Sequence, residues 1–174
     1  WTAGEPDANG HFDVFFDGAL QGRVKWALIG EHNRMNALAS IAAARHAGVP
    51  AAVAIDALGR FENVKRRMEI RGAVHGITVY DDFAHHPTAI ATTVEGLRAK
   101  VGKSRILAVL EPRSNTMKLG VMKAALPDSL RDADLVYCYG ANLGWDAAEA
   151  LTPLGDKARV FDNLDKLVSQ LVAD

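Results

Sequence analysis

The sequence predicts an α/β protein built mainly on a Rossmann-like, doubly wound and mostly parallel sheet. From residue 73 onwards, short apolar runs alternate with amphipathic segments, which is the pattern of parallel strands joined by crossover helices. The run RILAVLEP at residues 105–112 is apolar almost throughout, as expected for a strand that is buried on both faces.

The first fifty residues or so predict two strands and a helix. HFDVFFDG (11–18) and RVKWALIG (23–30) are rich in β-branched and aromatic residues and predict a hairpin or two adjacent strands. The alanine-rich segment that follows has apolar residues at helical spacing, and Gly48 comes after the last of them. These features predict a helix of about three turns.

A domain boundary is predicted near residues 57–61. Residues 51–58 predict a second helix, and the pattern then breaks at a glycine that is followed by a short basic cluster. We therefore expect the chain to consist of two pieces, residues 1–57 and residues 58–174.

The second piece alternates between strands and helices. Strands are predicted at residues 73–80, 105–112, 135–140 and 158–162, and helices at 87–101, at 117–131 and from Asn163 onwards. Pro87 suits the first turn of its helix and Gly102 its end, while Pro127 is expected to interrupt the second helix. The clusters DDFAHHP, EPRSNTMKLG and GANLGWD each follow a strand. If the strands are parallel, these clusters share one edge of the sheet and indicate an active site there.

The composition is that of an ordinary globular protein, with 49% apolar and 24% charged residues. The formal net charge of −1 indicates neither nucleic acid nor an anionic membrane as a partner. No apolar run reaches the ~18–20 residues of a membrane span, and no obligate protein partner is indicated. The single cysteine, Cys138, excludes an internal disulfide, fits a cytoplasmic location and is expected to pack in the core.

Two segments of the first half could contact a nucleotide. In GEHNRMN, Asn33 and Asn36 are three residues apart at a helix start and so share a face. Their amides can donate and accept, as an adenine edge requires, although asparagine is also an ordinary N-cap. The basic residues of NVKRRME suit a phosphate group, or they form a solvated turn.

YDDFAHHP at residues 80–87 offers two carboxylates and two imidazoles. Adjacent side chains leaving a strand point to opposite faces, so Asp81 and Asp82 do not easily face one metal ion. No metal ligand is therefore predicted. One aspartate bound to ribose hydroxyls is geometrically easier, and the two histidines could simply cap the following helix. No role is assigned to Asp81.

EPRSNTMKLG places hydrogen-bonding groups densely beyond a buried strand. Such a segment suits a polar, charged small molecule, or it is only a loop and helix cap. The chain contains neither a G-x-x-x-x-G-K-[ST] phosphate loop nor a G-x-G-x-x-G dinucleotide motif.

Together, these segments resemble the Mur ligase family. GEHNRMNALASIAAARHAGV, FENVKRRMEIRG and VYDDFAHHPTAI occur in that order, and VLEPRSNTMKLG with GANLGWD is similar to the branch that recycles murein peptide. The resemblance spans about residues 23–145. It implies that residues 1–57 are the tail of the central ATP-binding domain and residues 58–174 the C-terminal Rossmann-like domain. The missing phosphate loop and missing initial methionine would then both indicate a C-terminal fragment.

The resemblance implies an ATP-dependent amide ligase of peptidoglycan recycling in the cytoplasm. Such an enzyme joins UDP-N-acetylmuramate to the murein tripeptide L-alanyl-γ-D-glutamyl-meso-diaminopimelate through an acyl phosphate. ATP and Mg²⁺ would be its cofactors, with the Mg²⁺ ligands mostly outside this fragment, and the fragment alone is expected to be inactive. Two alternatives stay open: a ligase that adds L-alanine to UDP-N-acetylmuramate, and a non-catalytic α/β module that binds a small molecule.

The resemblance also assigns roles to individual residues. The residues expected to bind the nucleotide are His32, Asn33 and Asn36 near adenine, Asp82 at the ribose and Arg67 at the terminal phosphate. The expected catalytic residues are Arg67, His85 and His86, with both histidines beside the nucleotide and the entering peptide. The residues expected to face the carboxylates of the tripeptide are Arg113, Ser114, Asn115 and Lys118.

Overall fold

A computed structural model describes residues 1–174 and divides them into two compact units, Trp1–Asp81 and Asp82–Asp174. This division by internal contacts falls at a different place from the domain boundary expected near residues 57–61, which stays a prediction. None of the helices combines the length and the apolar character needed to span a bilayer.

The first unit contains two antiparallel sheets and two helices. Its elements are β1 (Thr2–Ala3), β2 (Phe12–Phe16), β3 (Ala19–Val24), α1 (Glu31–His46), α2 (Ala51–Gly59), β4 (Glu69–Val74) and β5 (Ile77–Asp81). Strands β1, β2 and β3 form one sheet in that order, and β4 pairs only with β5. The buried apolar residues of this unit are Phe12, Val14, Val24, Trp26, Ala37, Leu38, Ile41 and Ile55.

The predicted hairpin of the first unit is confirmed, but its second strand is shifted. Asp17 and Gly18 have φ values of 50° and 77°, as a tight two-residue turn requires. The partner strand therefore starts at Ala19 and ends at Val24, so the strand predicted at residues 23–30 is wrong for most of its length.

Helix α1 is longer than the predicted three turns. Its 16 residues make about four and a half turns, because alanine and the unbranched residues among them favour the helix. The helix buries Ala37, Leu38 and Ile41, and Gly48 follows its C-cap as predicted.

The strand predicted at residues 73–80 is also wrong. His75 and Gly76 have φ values of 49° and 80°, so the chain turns back there and the apolar run becomes the two arms of the β4–β5 hairpin. Strand β5 therefore belongs to a separate antiparallel sheet, and the DDFAHHP cluster does not follow a strand of the parallel sheet.

The second unit is a parallel three-stranded sheet with helices on both faces. Its elements are α3 (Pro87–Val101), β6 (Leu107–Leu110), α4 (Asn115–Lys118), α5 (Leu126–Ser129), β7 (Leu135–Tyr139), α6 (Ala147–Leu151), β8 (Ala158–Phe161) and α7 (Leu164–Ala173). The strands are parallel in the order β6–β7–β8. The predicted α/β class is therefore confirmed.

Alternate residues of β7 reach the two faces of this sheet. Val136 and Cys138 are fully buried in the cluster that includes residues of α3, α5 and α6. Tyr137 points to the opposite face, where its hydroxyl donates to Asp174 Oδ2 at 2.7 Å and where α7 contacts β7 and β8. The core position predicted for Cys138 is confirmed, and its burial raises the pKa of the thiol to about 12.

The helix predicted at residues 117–131 is wrong as a continuous element. The chain instead forms α4, a short 3-10 turn and α5. Gly120, with a φ of 72°, ends the first helical segment, and Pro127 lies in the first turn of α5. The five-residue helix α6 is not predicted; Asp146 caps it by accepting hydrogen bonds from Ala148 N and Glu149 N.

Candidate functional site

The start of α1 carries His32, Asn33 and Asn36. Asn33 Nδ2 donates to Ile29 O at 2.7 Å, so this amide partly serves the local backbone. His32 and Asn36 are exposed, and the amide of Asn36 makes no hydrogen bond within the chain. Asn36 therefore keeps both its donor and its acceptor for a ligand, and Asn33 keeps its carbonyl oxygen.

Arg67 lies in a loop with an unusual backbone. Its neighbours Arg66 and Met68 have φ values of 59° and 51°, a region that residues other than glycine occupy at a cost in energy. Asn63 Nδ2 donates to Arg67 O at 2.7 Å, which helps to hold the loop. The guanidinium of Arg67 is exposed and forms no ion pair within the chain, as a group that reaches for phosphate requires.

Asp81, to which the sequence assigns no role, pairs with this loop. Arg66 Nε donates to Asp81 Oδ1 at 3.4 Å, and Arg66 N donates to Glu69 Oε2 at 3.0 Å. Asp81 is paired with Glu69 across the β4–β5 hairpin. The carboxylates of these two residues thus tie the basic loop to the hairpin, which is a structural role.

In the second unit, hydrogen bonds hold the carboxylate of Asp82. Its Oδ1 accepts from Ala84 N at 2.7 Å, closing a local turn, and from Thr93 Oγ1 on α3 at 3.4 Å. These bonds fix the direction of the carboxylate. Thr93 is not among the predicted site residues, and the only indication of its role in the sequence is its position between the apolar residues of α3.

The local bonds of His85 and His86 imply opposite tautomers. His85 Nδ1 lies 2.9 Å from Phe83 O, a carbonyl that can only accept, so the Nδ1 of neutral His85 carries the proton and its Nε2 is an acceptor. His86 is the N-cap of α3, and its Nδ1 accepts from Thr88 N at 3.3 Å. The proton of neutral His86 is then on Nε2, which is a donor.

Ser114 joins the DDFAHHP and EPRSNTMKLG clusters. Its Oγ accepts from Met117 N at 3.3 Å as the N-cap of α4, and donates to His85 O at 3.4 Å. The hydroxyl is therefore engaged within the protein, and the substrate contact expected for it stays a prediction. The two clusters meet even though β5 is not in the parallel sheet.

The other predicted substrate-binding residues are exposed donors. The side chain of Arg113 is 79% exposed, and its Nη1 lies 3.9 Å from Glu111 Oε2. This distance is too long for the ion pair to fix the guanidinium. Asn115 and Lys118 are exposed on α4 and make no side-chain hydrogen bond within the chain. The structure contains no group of three His, Cys, Asp or Glu residues placed to hold a metal ion.

The profile of one protein family, described as the Mur ligase, glutamate ligase domain, matches residues 66–174. The chain belongs to the Mur ligase family. It is 51% identical, over 92% of its length, to the UDP-N-acetylmuramate–L-alanyl-gamma-D-glutamyl-meso-2,6-diaminoheptandioate ligase of Escherichia coli strain K12. It is 37% identical, over 75% of its length, to a UDP-N-acetylmuramate–L-alanine ligase of Anaeromyxobacter dehalogenans strain 2CP-C.

Among solved structures, a murein peptide ligase from Psychrobacter arcticus 273-4 aligns with a TM-score of 0.64 and 38% identity. The alignment covers 97% of this Mur ligase chain and 37% of the other. The chain spans 36% of the length of the Escherichia coli relative. The family and the fold predicted from the sequence are confirmed, whereas the roles of individual residues stay predictions.

Proposed function

We propose that this chain is part of an ATP-dependent ligase that joins UDP-N-acetylmuramate to L-alanyl-γ-D-glutamyl-meso-diaminopimelate in peptidoglycan recycling. The main support is the 51% identity over 92% of the chain to a relative named for that reaction. The exposed donors on and beside α4 also fit an acceptor that carries several carboxylates. A cytoplasmic location stays a prediction.

The residues of the first unit fit a nucleotide. Asn36, with a free amide, and Asn33, with its carbonyl oxygen, would bind the adenine edge, with His32 beside them. Arg67 would neutralise charge on the terminal phosphate through its exposed guanidinium. When bound, ATP with Mg²⁺ supplies the phosphoryl group that activates the carboxylate of UDP-N-acetylmuramate as an acyl phosphate.

Asp82, His85 and His86 would act in the second unit. The fixed carboxylate of Asp82 suits ribose hydroxyls, which are hydrogen-bond donors. His85 Nε2 would accept the proton that the attacking amine of the tripeptide loses, while His86 Nε2–H would donate to a negatively charged oxygen. These two roles follow from the opposite tautomers of the two imidazoles.

Arg113, Asn115 and Lys118 would bind the acceptor peptide. Arg113 can form two parallel bonds to a carboxylate, and Lys118 provides a point charge on a flexible stem. Ser114 would act mainly as the cap that shapes this turn, since its hydroxyl already bonds to Met117 N and His85 O.

The proposal is tested by incubating the full-length protein with ATP, Mg²⁺, UDP-N-acetylmuramate and the tripeptide, and measuring phosphate release and the mass of the product. The expected product is the UDP-muramyl tripeptide. Arg67→Ala and Asp82→Ala should lower kcat/KM by about 10- to 1,000-fold, because each removes a charged contact to the nucleotide. Full activity in both variants would instead favour a binding module that takes no part in catalysis.

A further inference from the structure

The short helix α4 is anchored at both ends. At its start, Ser114 Oγ accepts a hydrogen bond from Met117 N at 3.3 Å. At its end, Met117 O accepts from Trp145 Nε1 at 2.7 Å, and Lys118 O accepts from Gly144 N at 3.4 Å. The last carbonyls of a helix have no partner within the helix. Gly144 N supplies one to Lys118 O, and Trp145 Nε1 is a second donor to Met117 O beside Gly120 N, which lies at 3.0 Å.

The indole ring of Trp145 lies directly against the backbone that follows α4. A Cβ at residue 120 would be 2.9 Å from Cδ1 and 3.1 Å from Cγ of Trp145, closer than a side chain tolerates. Gly120 also has a φ of 72°, which favours glycine. Only glycine therefore allows the ring to approach this closely.

The side chain of Met117 anchors α4 to the core. It is 3% exposed and belongs to the core of the second unit, and Trp145 packs against that core. The turn is thus held by one buried side chain and by hydrogen bonds from Gly144 and Trp145. Asn115 and Lys118 project from it, exposed and without side-chain partners in the chain. A fixed turn with unused donors loses little further entropy when it binds a ligand.

We propose that Trp145 is a positioning residue for the acceptor peptide: through Met117 O and Gly120 it holds the turn at residues 113–118 in the shape that binds the tripeptide. This inference rests on the proposed function. In this role Trp145 acts through the turn and not by binding the substrate. Its loss therefore weakens tripeptide binding and leaves the binding of ATP and UDP-N-acetylmuramate unchanged.

The test compares KM values for the three substrates in the full-length protein. Trp145→Phe keeps most of the ring but removes the Nε1–H donor. The KM for the tripeptide should rise about fivefold, the size expected for the loss of one hydrogen bond, with the KM for ATP unchanged. Gly120→Ala displaces the ring and should raise the same KM by at least as much. Trp26→Phe is the matched control, because it removes an indole N–H from the core of the first unit and should leave the KM for the tripeptide unchanged.

Three outcomes would overturn this inference. An unchanged KM for the tripeptide in both Trp145→Phe and Gly120→Ala, with an active wild type, would remove the positioning role and leave the proposed function intact. An equal rise in all three KM values would assign Trp145 to general packing. A wild type that does not ligate the tripeptide would refute the proposed function, and the positioning role with it.

Discussion

Arg98 is expected to be the main polar contributor to the stability of the second unit. Its guanidinium makes five hydrogen bonds: two to Asp132 O, and one each to Gly102 O, Ser104 O and Asp134 Oδ2. These bonds connect the end of α3 to the loop that follows it and to the loop between α5 and β7. The side chain of Arg98 is 27% exposed, so water replaces part of what is lost when it is removed.

Arg98→Ala should destabilise the second unit by about 2–3 kcal/mol. Each hydrogen bond contributes roughly 1 kcal/mol net, and partial exposure together with the small value of a surface ion pair reduces the sum. For a domain of this size, that loss lowers the melting temperature by roughly 10–20 °C. Arg98→Lys keeps the charge but not the fork of donors, and should lose about half as much.

Trp145 is the single tryptophan of the second unit. Its fluorescence reports the urea unfolding of that unit once Trp1 and Trp26 are replaced by phenylalanine. Arg131→Ala is the matched control: Arg131 bonds to Asp128 at 2.5 Å, but the two side chains are 72% and 78% exposed. It should change stability by less than ~0.5 kcal/mol. If Arg98→Ala cost no more than Arg131→Ala, the stabilising role of the Arg98 network would be refuted.

Three further predictions concern acid stability, thiol reactivity and the activity of the chain by itself. Hydrogen bonds from Ile106 N and Arg98 lower the pKa of Asp134 below its ordinary value of 3.8. The ionised carboxylate therefore stabilises the fold fully above pH 3.8, and this contribution is lost as the pH falls through the folded-state pKa. The free energy of unfolding in urea should differ less between pH 3 and pH 6 for Asp134→Asn than for the wild type. Cys138, whose pKa is raised to about 12 by burial, should resist iodoacetamide in the native protein and react fully in denaturant, as intact mass would show; rapid native labelling would contradict its core position. The 174-residue chain alone should release no phosphate from ATP, because its sequence contains no phosphate loop; substrate-dependent turnover by this chain would prove that expectation wrong.

Elements that depend on capping residues and on runs of apolar residues are predicted correctly from the sequence. Pro87 and Gly102 bracket α3, and the apolar runs of β6, β7 and β8 form the expected parallel sheet. The strand predicted at residues 73–80 fails for a specific reason: β-branched residues on both sides of His75 and Gly76 hide a two-residue turn in what looks like one continuous strand. A positive φ at histidine is not visible in hydrophobic spacing.

The sequence predicts the residues of the candidate site more readily than it predicts their partners. Asn36 and Arg67 carry recognisable chemistry in recognisable segments, and the structure places both at the surface. The partners of the site residues are not predicted, because they are distant in the sequence. Thr93 is 11 residues from Asp82, and Trp145 is 28 residues from Met117, and only the folded chain brings such pairs together. Ser114 caps α4 through its hydroxyl, and the contact with the substrate that the sequence assigns to it stays a prediction.

The choice of acceptor tests the central proposal most directly. The full-length protein is given ATP, Mg²⁺ and UDP-N-acetylmuramate with equal concentrations of the tripeptide and of L-alanine, and both products are measured by mass spectrometry. We expect the UDP-muramyl tripeptide to be almost the sole product, and Lys118→Ala to reduce its formation about tenfold, as the loss of a charged contact predicts. Formation of UDP-muramyl-L-alanine in its place would contradict the proposed substrate and identify the L-alanine ligase instead.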